Sequence, residues 1–375
     1  MGLTNDTLLW ATALAAALLF TGTVWLWPRL ARRTWRAVCG RVGLLLATQL
    51  AVFAAVGLAA NQAFGFYASW ADLFGRQKDQ GVVVDHAAGG AGLKVVNTGP
   101  VPGVAGTRPE ETGRIDEVRI SGRTSRIASP AYVYLPPEYF RAEHRGSDFP
   151  AAVVLTGYPG TARALVDKLR YPRTVHQAAR EGRMPPMILV MLRPTVAPPR
   201  DTECVDVPKG PQTETFFAKD LPETIGGHYR VKDGRGAWGV VGNSTGGYCA
   251  LKLAIHHPGV FGAGAGLSAY YKAPIDPTTG DLFQGDEELR NEADLRWYIG
   301  HRPAPDTALL VSSSKKGESN YRDTVKFIEQ VKATGRTRIS SIILESGGHN
   351  FNTWRREIPA AMEWLGNRLA EAKRS

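Results

Sequence analysis

The chain has 375 residues, a formal net charge of +10 and only three cysteines, Cys39, Cys204 and Cys249. That cysteine count excludes a disulfide-dense scaffold and offers no zinc-ligand spacing. The positive charge is spread without a Lys/Arg block or a nucleic-acid motif, so no nucleic-acid partner is expected.

Two uncharged runs come first, residues 7–28 and 42–71. About 20 apolar residues suffice for a helix to span a bilayer, so both runs read as transmembrane helices. Trp25 and Trp27 close the first; Phe66, Tyr67 and Trp70 close the second, where amphipathic aromatics prefer the interface. Arg29, Arg32, Arg33, Arg36 and Arg41 lie between them. Five Arg in a short loop place that loop on the cytoplasmic side, which puts both termini and the large domain outside. A cleaved signal peptide is the competing reading. Met1 to Asp6 carry no Lys or Arg, which argues against it, although Arg32-Arg33 ahead of an apolar stretch resembles a twin-arginine signal.

Residues 76–113 hold eight Gly, three Pro and no aromatic residue. Such a segment buries little surface to offset its ordering entropy, so it reads as a mostly flexible tether, with Gly81–Asp85 a candidate isolated strand. Residues 114–375 then form one domain. Strands are expected around 115–120, 131–135, 151–155, 187–191, 238–242, 308–311 and 339–344. Helical stretches fall near 162–181, 213–228, 246–257, 321–334 and 352–372. Continuous apolar strands such as Ala151–Leu155 belong in a sheet covered on both faces. The alternation predicts an α/β fold, a doubly wound and mainly parallel sheet.

The sharpest motif is Gly242-Asn-Ser244-Thr-Gly246, directly after an apolar strand and directly before a helix-forming run. That is the context of a nucleophile elbow, in which a serine sits on a strained strand-to-helix turn and flanking glycines let backbones approach. A chance match at a glycine-rich turn is the bland alternative. His349, in Ser346-Gly-Gly-His-Asn350 between the last strand and last helix, is the candidate general base. The acid belongs after strand 308–311. Glu318 in that loop is preferred to Asp323, expected on the first turn of the following helix, and to Asp306 before the strand. The order Ser, acid, His is that of α/β-hydrolases. Backbone N–H groups of Thr245 and of Tyr158, in Leu155-Thr-Gly-Tyr-Pro-Gly160, are the candidate oxyanion donors.

The segments Tyr132–Pro137, Leu155–Tyr158, Trp238–Gly247 and Gly347–Asn350 together resemble the esterase-D-like serine esterases, a family that includes the antigen 85 type mycolyltransferases. The resemblance covers most of residues 115–372 and none of the membrane region. It implies an α/β-hydrolase fold with Ser244 as nucleophile, Glu318 as acid, His349 as base, and Tyr158 and Thr245 at the oxyanion hole.

The expected activity is an ester or thioester hydrolase or acyltransferase working through an acyl-serine. No metal or cofactor is called for. An envelope lipid or glycan is a candidate acceptor, and the bilayer a partner. An inactive hydrolase-fold binding module and a serine peptidase are the alternatives. Cys204 and Cys249 both fall in the domain placed outside, on segments expected near the elbow, so a bridge between them is weighed against two free thiols.

Overall fold

A computed structural model of the chain describes residues 6–31, 34–64, 92–198, 200–234 and 236–371. Two compact units are present, Met1–Lys78 and Asp79–Ser375.

The first unit is a pair of helices, α1 (Asp6–Leu26) and α2 (Trp35–Phe64). Each is long and apolar enough to be a candidate membrane span. The hydroxyls of Thr23 and Thr48 join the pair through a buried hydrogen bond of 3.0 Å. Each threonine also donates to the carbonyl four residues back, Leu19 and Leu44, so both hydroxyls are satisfied between apolar helices. Trp10, Leu18, Leu50 and Phe53 point outward, an apolar surface larger than soluble chains ordinarily expose. α2 starts earlier than the uncharged run and takes in Arg36, Cys39 and Arg41. The aromatics Phe66, Tyr67 and Trp70 lie outside the described residues.

The second unit is a nine-stranded sheet, β1 (Gly92–Gly99), β2 (Arg114–Ser121), β3 (Ala128–Leu135), β4 (Ala151–Leu155), β5 (Ile188–Leu192), β6 (Trp238–Asn243), β7 (Phe261–Leu267), β8 (Ala308–Lys316) and β9 (Arg338–Ser346). The spatial order is β1-β2-β3-β5-β4-β6-β7-β8-β9. The first three strands and the β3–β5 pairing are antiparallel; all other pairings are parallel. This is the mainly parallel α/β fold expected.

Side-chain alternation along β4 builds two cores. Ala151, Val153 and Leu155 enter one, with Leu251, Leu253, Phe327 and Val331. Ala152 and Val154 enter the other, with Tyr171, Val175, Ile358 and Leu365. Helices α4 (Thr245–His256) and α5 (Tyr321–Ala333) thus cover one face, and α3 (Tyr171–Arg180) and α6 (Phe351–Glu371) the other.

Three expectations need correction. Residues 92–113 are not part of a flexible tether: β1 pairs with β2 from Gly92↔Ser121 to Gly99↔Ile115, and Val101 beyond it is buried. Glycine content and missing aromatics hide an edge strand that is held mainly by backbone pairing. The candidate strand Gly81–Asp85 lies outside the described residues. Stretch 162–181 is two helices, Ala162–Asp167 and α3, broken where Arg170 adopts φ +58°. Finally, β7 was not foreseen. Its sequence, Phe-Gly-Ala-Gly-Ala-Gly-Leu, has weak strand propensity.

The β7 glycines serve packing. A Cβ on Gly264 would lie 2.6 Å from Ala254 Cβ and 2.8 Å from the Ala250 carbonyl, both on α4. Gly264→Ala is therefore expected to destabilise the domain by about 1–3 kcal/mol through overpacking. Gly259→Ala, where an added Cβ meets nothing within 4 Å, should stay within about 0.5 kcal/mol of wild type. Urea unfolding of the full chain followed by tryptophan fluorescence compares the two; equal midpoints would remove the packing argument.

Candidate active site

β4 and β6 are neighbours, and β5 lies on the other side of β4. The chain reverses its direction of winding there, and in such sheets the crevice beyond the carboxyl ends at this point receives ligands. Ser244 follows β6, and the loop Thr156–Gly160 follows β4.

Ser244 sits at φ +56°, ψ −123°, a conformation costly for a residue with a side chain. The surroundings fix it. Its N–H donates to the Leu267 carbonyl at 2.9 Å, and its carbonyl accepts from Tyr248 N–H at 3.0 Å. A Cβ on Gly242 would fall 2.3 Å from the Gly246 carbonyl oxygen, and one on Gly246 would fall 2.4 Å from that of Thr156. Both motif glycines are thus required by backbone-to-backbone contact. Gly157 closes on the same point, its Cβ position lying 3.0 Å from Ser244 Cβ. α4 begins at Thr245, so its free N–H groups gather at the serine.

His349 arrives from the loop between β9 and α6, with Nε2 2.8 Å from Ser244 Oγ. Glu318 arrives from the loop after β8. Its side chain is almost wholly buried, with Oε1 3.8 Å from His349 Nδ1. Oε2 accepts from Ser314 N–H at 3.1 Å, which fixes the carboxylate and leaves Oε1 turned toward the ring. The acid and histidine loops are clamped together. Gly347 N–H donates to the Lys316 carbonyl at 3.0 Å, and a Cβ on Gly317 would strike the Gly347 carbonyl at 2.3 Å. Asp323 stands away on the first turn of α5, exposed and facing Arg296 at 4.0 Å. Asp306 precedes β8, at the opposite end of the strand.

Residues 128–365 match the Esterase family. The chain belongs to this esterase family. An uncharacterized protein of Corynebacterium glutamicum is 24% identical over 272 residues, 69% of this chain and 63% of that protein; the chain therefore spans less than two thirds of that relative's length. Among solved structures, a ferulic acid esterase is similar at a TM-score of 0.58 and 16% identity, covering 68% of this chain and 98% of its own. An S-formylglutathione hydrolase from Agrobacterium tumefaciens follows at 0.57 and 17%, covering 73% and 99%. The fluorophosphonate-binding serine hydrolase F of Staphylococcus aureus stands at 0.53 and 15%, covering 68% and 99%. These likenesses show an α/β-hydrolase-like fold.

Around the three side chains, this family member has a shell that no sequence motif announces. Trp354 meets the His349 ring edge-on at 5.2 Å and donates its Nε1–H to Ser268 Oγ at 3.0 Å. Glu357, one turn further on α6, is fully buried, and neither of its oxygens has a hydrogen bond of good geometry. Burial drives its carboxyl up to about 8; the Ser312 hydroxyl opposes the rise and the charge of Glu318 adds to it. On the other side of the elbow, Tyr270 stacks on Tyr248 at 5.2 Å and donates to Glu203 at 2.6 Å. Burial, then the charge of Asp201, holds the Glu203 carboxyl well above its ordinary range.

Glu203 precedes a disulfide. Cys204 and Cys249 are bridged, with Cα atoms 5.7 Å apart, inside the range of about 4.4–6.8 Å that the bond requires. The bridge ties the 200–212 loop to α4. Lys252, also buried on α4, donates to the Cys204 carbonyl at 2.9 Å and pairs with Glu214. Glu214 also receives His256 at 3.0 Å and His257 at 2.8 Å. Despite its burial, Lys252 and these histidines hold the Glu214 carboxyl well below its ordinary value. Cys39 is free and exposed on α2.

Two outcomes follow. Glu357 keeps its proton in the folded chain up to about 8, against an ordinary value of 4.5. The unfolded chain releases that proton earlier, so stability should fall as pH rises from about 4.5 to 8 and level off above. Glu357→Gln should abolish this slope and be more stable at pH 8 by up to about 3–5 kcal/mol; parallel wild-type and variant profiles in urea unfolding would contradict it. Cys204→Ser with Cys249→Ser opens a loop with a sequence separation of 45. Its expected cost is about 2–4 kcal/mol, read as a lower denaturation midpoint.

Proposed function

We propose that this esterase is a membrane-tethered, extracytoplasmic carboxylic-ester hydrolase acting through an acyl-Ser244 intermediate. The observation that carries the proposal is the 2.8 Å approach of His349 Nε2 to Ser244 Oγ on a left-handed elbow.

Ser244 Oγ attacks the substrate carbonyl carbon while its proton passes to His349 Nε2. The buried Glu318 carboxylate faces Nδ1, orients the ring and stabilises the imidazolium. The carbonyl oxygen takes the negative charge, aimed at the N–H groups of Thr245, at the start of α4, and of Tyr158. Collapse expels the leaving group, which takes the proton from Nε2, and the acyl-serine remains. Water, or another hydroxyl in a transfer reaction, gives its proton to Nε2 and attacks the acyl carbon. Ser244 then recovers its proton as the acid or new ester leaves.

The substrate class rests on the family and on what two structural relatives are named for, ferulic acid esters and S-formylglutathione. Placement outside the membrane rests on three features together. These are two apolar helices, five Arg from Arg29 to Arg41 around the start of the second helix, and a disulfide in the large domain, a bond that persists in oxidising compartments.

Ser244→Ala should lose fluorophosphonate labelling, and on the order of 10⁴-fold or more in p-nitrophenyl ester turnover, without unfolding. Glu318→Gln should cost about 10²–10⁴-fold, and Asp323→Asn should leave turnover near wild type. A labelled Ser244→Ala chain, or a larger loss at Asp323, would refute the assignment. Protease accessibility on intact cells tests the side of the membrane: digestion of the large domain only after lysis would overturn its placement.

A further inference from the structure

The helix pair carries an unpaired polar group where a bilayer offers it no water. Arg41 and Asn61 stand about 30 Å apart along α2, the thickness of a hydrocarbon core. Gln49 lies about 12 Å from Arg41 on that scale, close to the middle. Its side chain is exposed and makes no hydrogen bond among the described residues. The threonines of the pair differ: Thr12, Thr21, Thr23 and Thr48 each donate to the carbonyl four residues back. A primary amide has two N–H donors and a carbonyl acceptor. Lipid tails partner none of them, so a lipid-facing Gln49 is costly.

Gln49 belongs to a seam. Val38, Val42, Leu45, Gln49, Val52 and Val56 recur at alternating steps of four and three residues, the heptad spacing of a two-stranded coiled coil. The apolar members are 41–61% exposed, and all four valines of α2 lie on this line. The contact with α1 uses the other side of the helix, where Ala37, Thr48 and Asn61 are buried. The seam is therefore not spent on the pairing with α1. In heptad terms Val42, Gln49 and Val56 occupy a positions, and Val38, Leu45 and Val52 occupy d positions. Branched residues at a suit a parallel two-stranded pair, and a single polar a position fixes register and oligomer state.

We propose that α2 is a dimerisation helix, its seam packed in parallel against the same seam of a second copy, with the two Gln49 amides exchanging hydrogen bonds. The inference rests on the membrane-spanning reading proposed above and is independent of the esterase mechanism. Copies of one chain insert in the same direction, so their α2 helices run parallel and Gln49 meets Gln49 at one depth. A two-fold axis along the bilayer normal lets each amide donate to the carbonyl of the other. Polar side chains bond across helices in this way within membranes. A different helix would have to match both the depth of the amide and the heptad repeat; a second copy matches both by identity.

The test uses the full chain, with donor or acceptor fluorophores at its C-terminus, reconstituted in phosphatidylcholine vesicles. Energy transfer is followed as lipid dilutes the protein. Wild type should associate, Gln49→Leu should weaken the dimer about tenfold, and Gln49→Asn, which keeps an amide, should associate more tightly than Gln49→Leu. Oxidative cross-linking in native membranes, in a Cys39→Ser background, maps the face. Val42→Cys and Val56→Cys should give disulfide-linked dimers, whereas Ala54→Cys, exposed on another side of α2, should not. The proposal is overturned by absent energy transfer, by Gln49→Leu associating like wild type, or by equal cross-linking at 42, 54 and 56. Cross-linking of Val42→Cys to a different chain, without self-association in vesicles, would overturn it equally. Release of the chain from membranes by alkaline carbonate would refute the spanning reading and the dimer with it; retention with no dimer refutes the dimer alone.

Discussion

The site depends on one steric constraint, the backbone contact between the turn after β6 and the strand beside it. Gly242 and Gly246 each stand where a single methyl group would fall within 2.4 Å of a carbonyl oxygen. Removing both side chains lets the strand reverse directly into α4, which forces Ser244 to φ +56°. A strained residue persists only when its surroundings over-determine it. Here a neighbouring strand and the first helical turn supply the two hydrogen bonds that do so. Serine geometry, helix N–H groups and the approach of Gly157 from β4 all follow from that one contact.

A second contact of the same kind, on the other side of the site, assembles the remaining partners. β8 and β9 are adjacent and parallel, so their carboxyl-end loops emerge together. Gly317 and Gly347 meet backbone to backbone, and this brings Glu318 behind His349. Electrostatics then tells the carboxyls apart. Glu318 accepts a backbone N–H from Ser314, whereas burial of Glu357 outweighs the Ser312 hydroxyl and keeps its proton past neutrality.

Much of this was legible in the sequence, because steric requirements leave residue-type signatures. Gly-x-Ser-x-Gly between a strand and a helix, Gly-Gly-His after the last strand, and Gly317-Glu318 after β8 each record a close approach. Their relative placement follows from parallel topology. What stayed hidden lacks such a signature. β1 is a one-sided edge strand inside a glycine-rich stretch, and its stability comes from pairing with β2. β7 is written in Gly and Ala because α4 lies against it, so the residues that permit packing are those that weaken the strand signal. Trp354, Glu357 and Tyr270 act through contacts across the sheet edge that only the folded chain defines. The Cys204–Cys249 bridge lies between these cases: the parallel topology brings both segments near the elbow, but the pairing itself depends on the Cα separation that the fold sets.

Under the proposed mechanism, the exposure of His349 bears on the step that would follow acylation. Its side chain is 50% exposed, while Glu318 behind it is 2% exposed. The proton acceptor thus stands at the boundary of solvent with a buried charge at its back. At its bulk concentration, water competes strongly with other nucleophiles at such a site. An alcohol acceptor prevails only if binding raises its local concentration and excludes water from the serine ester. The loop 200–212 is tied to α4 by the disulfide and by Lys252, which donates to the Cys204 carbonyl. On the proposed mechanism, transfer requires an acceptor that itself covers the exposed face of His349.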